Sequence, residues 1–597
     1  MGLFGIFPKL IAMVFYNLPR VPLLVFCGTI CYHKAFVFRQ RWVMPDTRLN
    51  DKLLFPSDRR MSVSIKPAFF VAFAFLAIAP VVVAWIQFFF LGLPGIPSPA
   101  HTNPLSVSDP IGFPVWIRLT HYVNFFFMVM LVRSGLSILA DHPRLYWNDH
   151  CTPDSDWLRF TPITIPKDRV WTAKDDSRYL SPWIGLPGFR HTVGIARHWH
   201  FLCAFFWLAN GLTFIALLFC TNQWRRLVPT DWQIGVDAWN VFVHYATLHL
   251  PAEPDGFYKY NPLQQLSYFG VVFMVAPVTF LTGLAMSPAI DNRFRWYPKL
   301  FGGRQCARSI HFLSLLGYLG FLVPHITMVA ITGLSQNLNH IVFGTDTVDP
   351  TGLLVGLVGI GVVIAACFLA NWISWNKPRL LQFAFRRFLG PLQRRFLNQM
   401  DTQVEYTKKD ISPYFWPNGK MPTSEDWNQI RPTGFKDFRL KVFGLVENPV
   451  ELSLADMRDL GKHDQITMHH CIQGWSGIAH WGGLPLAQLI ALVNPLPEVG
   501  TVVFHSFGEG HYGGEYYDTL SLANAKHHQS MLAYEMNYEP LTDVHGAPLR
   551  LRVENQLGYK MVKWIRAVEF VRSEKTVGKG FGGKNEDDEY YPMVANI

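Results

Sequence analysis

Residues 308–334 read RSIHFLSLLGYLGFLVPHITMVAITGL. The run is long and apolar enough to cross a bilayer as one helix, and it carries two histidines, His311 and His325. Their fourteen-residue spacing is close to four turns. Both imidazoles therefore leave one face, about 21 Å apart along the axis. Ionisable side chains inside a span are costly and point to function by default. One imidazole near each leaflet suits two haems; hydrogen bonding between helices is the competing structural role. Gly317 and Gly320 lie between the histidines and are expected to let a flat macrocycle approach the backbone. Pro324 is expected to bend the helix just before His325.

The surrounding chain has the same character. Of 597 residues, 50% are hydrophobic and only 16% charged. That is a membrane profile diluted by a soluble part. Spans are expected near 68–93, 112–140, 197–220, 264–289, 308–334 and 352–375. Residues 1–66 mix apolar and basic positions and read as a membrane-surface segment. Lys and Arg number ten in 1–67, seven in 141–196 and five in 290–308. The alternate loops 94–111, 221–263 and 335–351 hold none, three and none. By the positive-inside rule both termini are cytoplasmic. The net charge of +10 thus reports membrane topology rather than nucleic-acid binding. No CxxC pair occurs among the eight cysteines, which argues against iron–sulfur clusters and covalent haem. Residues 376–400, basic and apolar in alternation, suit a helix lying on an anionic leaflet.

Arg118 and His121 open the second span in RLTH, and Arg197, His198 and His200 open the third in RHWH. Adjacent antiparallel helices start on opposite sides, so His121 and His200 belong to opposite leaflets. The fifth span runs parallel to the third, which levels His311 with His200 and His325 with His121. Two bis-histidine sites are expected, His121–His325 and His200–His311, the donor set of six-coordinate b haems. His198 lies about 200° around the helix from His200 and faces elsewhere.

The stretches 117–139, 197–200, KYNPLQQLSYFGVVFMVAPVTFLTGLAM (259–286) and the two-histidine helix resemble the di-haem cytochrome b subunits of formate dehydrogenases and nickel–iron hydrogenases. The resemblance covers 112–334. It implies two haem b groups and electron exchange between a hydrophilic partner and membrane quinone. Two features depart from that family. The spans at 68–93 and 352–375 are additional, and the charge rule places the KYN loop outside, opposite to the formate dehydrogenase arrangement.

From 401 to 575 apolar residues come in short runs punctuated by Gly, Pro and Asn, which predicts a β-rich α+β domain with a few helices. The tail 576–597, with GKGFGGKNEDDEYY, reads as flexible. At the centre of this domain stands MHHCIQGWSGIAHWGGLPLAQLI (468–490). From residue type alone Cys471 is a structural cysteine, a nucleophile or a thiolate metal ligand. In HGAPLRLRVENQLGYKMVKWIRAVEF (545–570), His545, Arg550, Lys560 and Lys563 are either donors for a phosphate-bearing anion or a solvated basic face.

Together with YFWPNGKMP (414–422) and FKDFRLKVFGLVENPVELSLADM (435–457), these segments resemble the molybdopterin-binding domain of the sulfite oxidase family. The closest branch is the one that contains the bacterial methionine sulfoxide reductase catalytic subunit. The resemblance implies Cys471 as the catalytic thiolate on molybdenum. It implies that Asn418, Ser506, His545, Arg550, Met561 (through its backbone) and Lys563 hold the pterin and its phosphate. The cysteine-adjacent arginines of sulfite oxidases are absent; Gln473, Gly474 and Trp475 follow Cys471.

The expected protein is a multi-pass bacterial inner-membrane oxidoreductase. It consists of a six-span helical bundle (67–375) followed by a soluble, cytoplasmic, sulfite oxidase-like domain. Electrons would pass between a small oxo substrate and quinone through molybdopterin and two b haems. A membrane-bound sulfite dehydrogenase and a metal-free binding domain are the alternatives. Whether the chain forms a homo-oligomer is open.

Overall fold

The computed structural model describes residues 63–95, 112–161, 163–188, 192–249, 257–391 and 406–597. The surface segment expected over 1–66 lies almost wholly outside them. Among the described residues, six helices are long and apolar enough to span a membrane: α1 (Pro67–Leu91), α2 (Val115–Asp141), α3 (Val193–Cys220), α4 (Pro262–Ala285), α5 (Arg304–Ile331) and α6 (Thr351–Asn376). Pro stands at the first turn of α1 and α4, where its missing N–H costs nothing. α4 contains a π-helical turn at Gly270–Val275, and α5 continues through Pro324. Large apolar side chains of α1 and α6, such as Phe89, Leu76, Val358 and Val362, stand exposed, as lipid-facing positions must.

Residues 440–571 form two sheets, one mixed and one wholly antiparallel. One sheet contains β1 (Leu440–Gly444), β2 (Val450–Leu452), β5 (Thr501–Glu509), β6 (Glu515–Ser521) and β10 (Ile565–Val571), in the order β2-β1-β10-β5-β6. The other contains β3 (His463–His470), β4 (Ser476–Pro485), β7 (Met531–Met536), β8 (Glu539–Pro540) and β9 (Arg550–Arg552). Between the sheets lies a core that includes Trp475, Trp481, Leu484, Phe504, Leu532 and Val568. Each fully buried large apolar side chain contributes about 1.5–3 kcal/mol. β3 and β4 pair antiparallel with His470 opposite Ser476. The five-residue tip of that hairpin, 471–475, closes through Cys471 N to Trp475 O at 3.1 Å. Gly474 supplies the φ of 107° the tip needs.

Three segments outside the spans pack against the rest of the chain. After α2, Tyr146, Cys151, Trp171 and Ala173 enter the soluble core. Arg144, wholly buried, bonds Asp156 at 3.2 Å and Asp176 at 2.8 Å. A helix does follow α6, namely α7 (Pro378–Phe388); one face packs on protein, while Leu380, Phe383, Arg386, Arg387 and Phe388 stand exposed on the other. Leu381, Gln382 and Phe385 are buried, and Arg379 bonds Glu586 O at 2.7 Å. The tail is ordered. Its short helix α8 (Lys584–Asp588) is anchored by Glu586 to Lys560 at 2.6 Å, because buried opposite charges must pair.

Candidate functional site

α3 and α5 begin at the same end of the bundle and bring His200 and His311 together, ring centroids 6.4 Å apart and ring planes inclined at 66°. The Ser134 hydroxyl of α2 donates to Met130 O at 2.8 Å, so it accepts from His200 Nδ1 at 3.1 Å. His311 Nδ1 donates to the Thr279 carbonyl of α4 at 3.0 Å. Both protons therefore sit on Nδ1, and both Nε2 lone pairs are left for a metal, the arrangement ligating histidines adopt. Two metal–nitrogen bonds of about 2 Å plus two half-rings of about 1 Å match the observed separation. The residues fit an iron porphyrin. Small residues let the rings lie against the neighbouring helices. A Cβ on Gly135 would stand 3.3 Å from His200, and one on Gly283 3.6 Å from His311. Gly317 and Gly320 do not touch the imidazoles; a Cβ on Gly317 would meet only Val275.

His121 of α2 and His325 of α5 occupy the other end of the bundle, within electrostatic reach of each other. His325 stacks on Phe321 at 5.3 Å and lies 6.0 Å from Tyr268. His198 turns away from His200 and stacks on Phe385 of α7 at 4.7 Å.

The hairpin tip carries Cys471, 3% exposed. Its Sγ lies 3.9 Å from Asn418 Nδ2 and 3.7 Å from Gln473 Oε1. Burial pushes the thiol up to about 12. A neutral buried thiol is a poor nucleophile, whereas a bound metal would deprotonate it outright. Around it cations crowd; the nearby carboxylate Glu554 is taken by Arg552. Arg550 is buried, its Nε has no partner, and it lies over Trp481 at 5.0 Å. Burial, and then the neighbouring Arg552, brings Arg550 down to about 9. Lys563 donates to Asn418 O and to Val544 O at 2.8 Å, and burial with Arg550 nearby holds it well below its usual value. Burial lowers His545 to about 4, and its Nε2 contacts Phe415 O at 3.2 Å. Ser506 donates to Lys563 O at 2.7 Å. Such a pocket suits an anionic, phosphate-bearing group. Met561 is buried, but its N–H already donates to Gly558 O at 3.2 Å. Asn418, Cys471, Ser506, His545, Arg550 and Lys563 thus share one site. Lys560 belongs instead to the tail anchor.

The tip is seated on the membrane helices. Gly474 O accepts from Arg304 at 3.0 Å and from Gln305 at 2.9 Å, both in the first turn of α5. Gln473 Nε2 donates to Asp141 O, the last residue of α2, at 3.3 Å. Asp149 caps Gln305 N at 2.8 Å, and its own carbonyl accepts from Ser476 at 3.1 Å. Gln473, Arg304, Gln305 and Asp149 escaped the sequence reading. The only available signal was the adjacency of Gln473 to Cys471; the other three contacts join positions more than 150 residues apart.

Facing intramembrane imidazoles, docked against a buried thiol in a cation-lined pocket, define a membrane redox protein of two joined modules. Residues 112–344 match the family model described as prokaryotic cytochrome b561, and residues 427–577 match the oxidoreductase molybdopterin binding domain. The chain belongs to the molybdopterin-binding oxidoreductases, joined here to a cytochrome b561 domain. It is similar to the uncharacterized oxidoreductase YuiH of Bacillus subtilis, 30% identical over 26% of this chain and 71% of that one. It is also similar to YedZ1 of Azospira oryzae, a subunit provisionally assigned to a protein-methionine-sulfoxide reductase, at 31% identity over 27% of this chain and 58% of that one. A third relative is the protein-methionine-sulfoxide reductase catalytic subunit MsrP of Campylobacter jejuni, 26% identical over 23% of this chain and 50% of that one. The chain thus spans 58% and 50% of the length of two of these relatives.

Proposed function

We propose that this protein is a membrane-bound molybdenum oxidoreductase that exchanges electrons between a small oxo-transfer substrate and the quinone pool through two b haems. The observation that most supports this is the seating of the Cys471 tip on the end of the bundle that carries His200 and His311. Arg304 holds Gly474 O, and His311 lies seven residues further along the same helix, about 10 Å of rise. Molybdenum would supply two-electron oxygen-atom transfer and haem iron would carry electrons singly. Cys471 would anchor the metal. Lys563, Arg550 and His545 would hold the pterin and its phosphate, with Asn418 and Ser506 shaping the site. His200 and His311 would ligate the near haem, and His121 and His325 the far one. Reduction of an S-oxide or N-oxide takes two electrons and two protons and releases water; quinol is the electron donor in that direction. The basic loops 141–196 and 290–308 share the side of the soluble domain, so by the charge rule that side is cytoplasmic.

The test is anaerobic. Purified protein is reduced with a quinol analogue, and haem absorbance is followed as S-oxides and N-oxides are added. Substrate-driven haem oxidation is expected in the parent and absent in Cys471→Ser, whose haem spectrum is otherwise unchanged. His311→Ala and His325→Ala should each remove one haem component. Unchanged haem content in both variants, or oxidation that survives loss of the thiol, overturns the proposal.

A sulfite-oxidising reading has one observation in its favour. Arg304 and Arg308 of α5 pack against Gly474 and bring cations that the soluble segment lacks after Cys471. Sulfite-driven haem reduction in the same cuvette discriminates the two. Absence of molybdenum from cofactor-replete protein would favour a binding domain.

A further inference from the structure

Three of the four histidines read as haem ligands follow an arginine by three residues: Arg118–His121, Arg197–His200 and Arg308–His311. Three residues are just under one turn, so each arginine lies on its histidine's face, one turn nearer the helix start. Two of these arginines are tied to carbonyls. Arg118 donates to Phe113 O at 3.1 Å and Val342 O at 2.7 Å. Arg308 donates to Arg144 O at 3.0 Å and His142 O at 2.7 Å. Arg197 differs. Its Nε is buried without a partner, its guanidinium lies 5.0 Å over the Phe201 ring, and among the described residues no carboxylate pairs with it. One turn before it on α3, Val193 packs with Ile472, the neighbour of Cys471, and one turn after it stands His200; its charged neighbours include Arg304 and Cys471.

We infer that Arg197 is a positioning charge shared by the two redox centres: lying between the Cys471 tip and His200, its guanidinium favours the reduced, more negative state of the haem held by His200 and His311. A largely desolvated guanidinium stabilises negative charge placed near it, and each electron added to the near haem lowers the charge of that centre by one unit. The step is a one-electron reduction of ferric to ferrous haem, with a quinol or dithionite as donor and no bond made or broken. At about 10 Å and an effective dielectric near 20, one unit charge biases that equilibrium roughly tenfold or more. Arg118, engaged by two carbonyls at the opposite end, does not bridge two centres.

The inference rests on the reading of His200 and His311 as haem ligands. That reading fails separately, as an unchanged haem spectrum in His311→Ala. The test is an optical potentiometric titration of the full-length, haem-replete protein in three forms: parent, Arg197→Gln and Arg197→Lys. In R197Q the component missing from H311A should shift to lower potential by at least 59 mV, a tenfold change for one electron. The other component should stay in place. R197K, which keeps the charge, should stay within about threefold of the parent equilibrium. Three results overturn the inference: no shift in R197Q, equal shifts in both components, or a shift in R197K as large as in R197Q. Should R197Q lose the near haem altogether, its retention by R197K supports the role of the charge, and its loss from both variants refutes it.

Discussion

Gly558 shows how little room the thiol-bearing strand has. A Cβ there would stand 2.2 Å from Cε1 and 2.4 Å from Nε2 of His469, two residues before Cys471. The imidazole cannot yield, because Arg552 bonds its Nδ1 at 3.1 Å, and Arg552 is itself clamped to Glu554 at 2.9 and 2.8 Å. Gly558→Ala must therefore move β3 or the turn at 558–560. Overpacking of this kind costs about 1–3 kcal/mol, or very roughly 2–10 °C of melting temperature for a domain this size. Differential scanning of purified protein should show that loss, and metal analysis should show less molybdenum. An unchanged melting temperature would mean that His469 has freedom the packing denies it.

At the scale of elements, α2 joins the two centres. Its Ser134 hydroxyl fixes His200, and the carbonyl of its last residue, Asp141, holds Gln473. Ser134→Ala removes the acceptor that sets the His200 tautomer and leaves the His311–Thr279 bond intact. Losses of this kind weaken metal binding by about 10–100-fold. Haem-limited reconstitution should therefore fill the His121–His325 site before the other, and equal filling of both would remove Ser134 from this role. The six spans were legible in the sequence because an uninterrupted apolar run of bilayer length has few other uses. The hairpin with Cys471 at its tip was legible as a motif. The segment after α2 was not. Arg144, Asp156 and Asp176 form one buried ion group at spacings of 12 and 20 residues that follow no periodicity. The contacts of Arg304 and Gln305 with Gly474 were equally invisible, since they depend on how two modules dock. The tail misled for a compositional reason: its Gly and acidic residues resemble those of a disordered segment, and only the fold reveals Lys560 and Arg379 waiting for them.

For the whole molecule, the tail is the strap that holds the soluble domain to the bundle. Tyr591, Ala595 and Ile597 pack with Val193 of α3 and with Ile472, the neighbour of Cys471. Gln382 of α7 donates to Tyr591 O at 2.6 Å, and Tyr517 donates to Asp587 at 2.5 Å. The strap closes on Lys560, which faces two carboxylates, Asp518 and Glu586. One lysine cannot neutralise both, so burial, and then the charge of Glu586, raises the Asp518 carboxyl. The folded state then binds a proton that the released state gives up, and ∂ΔG/∂pH for strap opening is negative. Closure is strongest where Asp518 is protonated and weakens as pH rises from the ordinary carboxylate range through the raised folded value. Hydrogen exchange of residues 579–597 should therefore accelerate beyond its intrinsic pH dependence between about pH 4 and about 8, and show no further excess above that. Asp518→Asn, uncharged at every pH, should flatten that excess while leaving the haem spectrum unchanged. Equal excess acceleration in parent and variant would show that the strap is held by its apolar residues alone, and that the lysine with its two carboxylates does not govern closure.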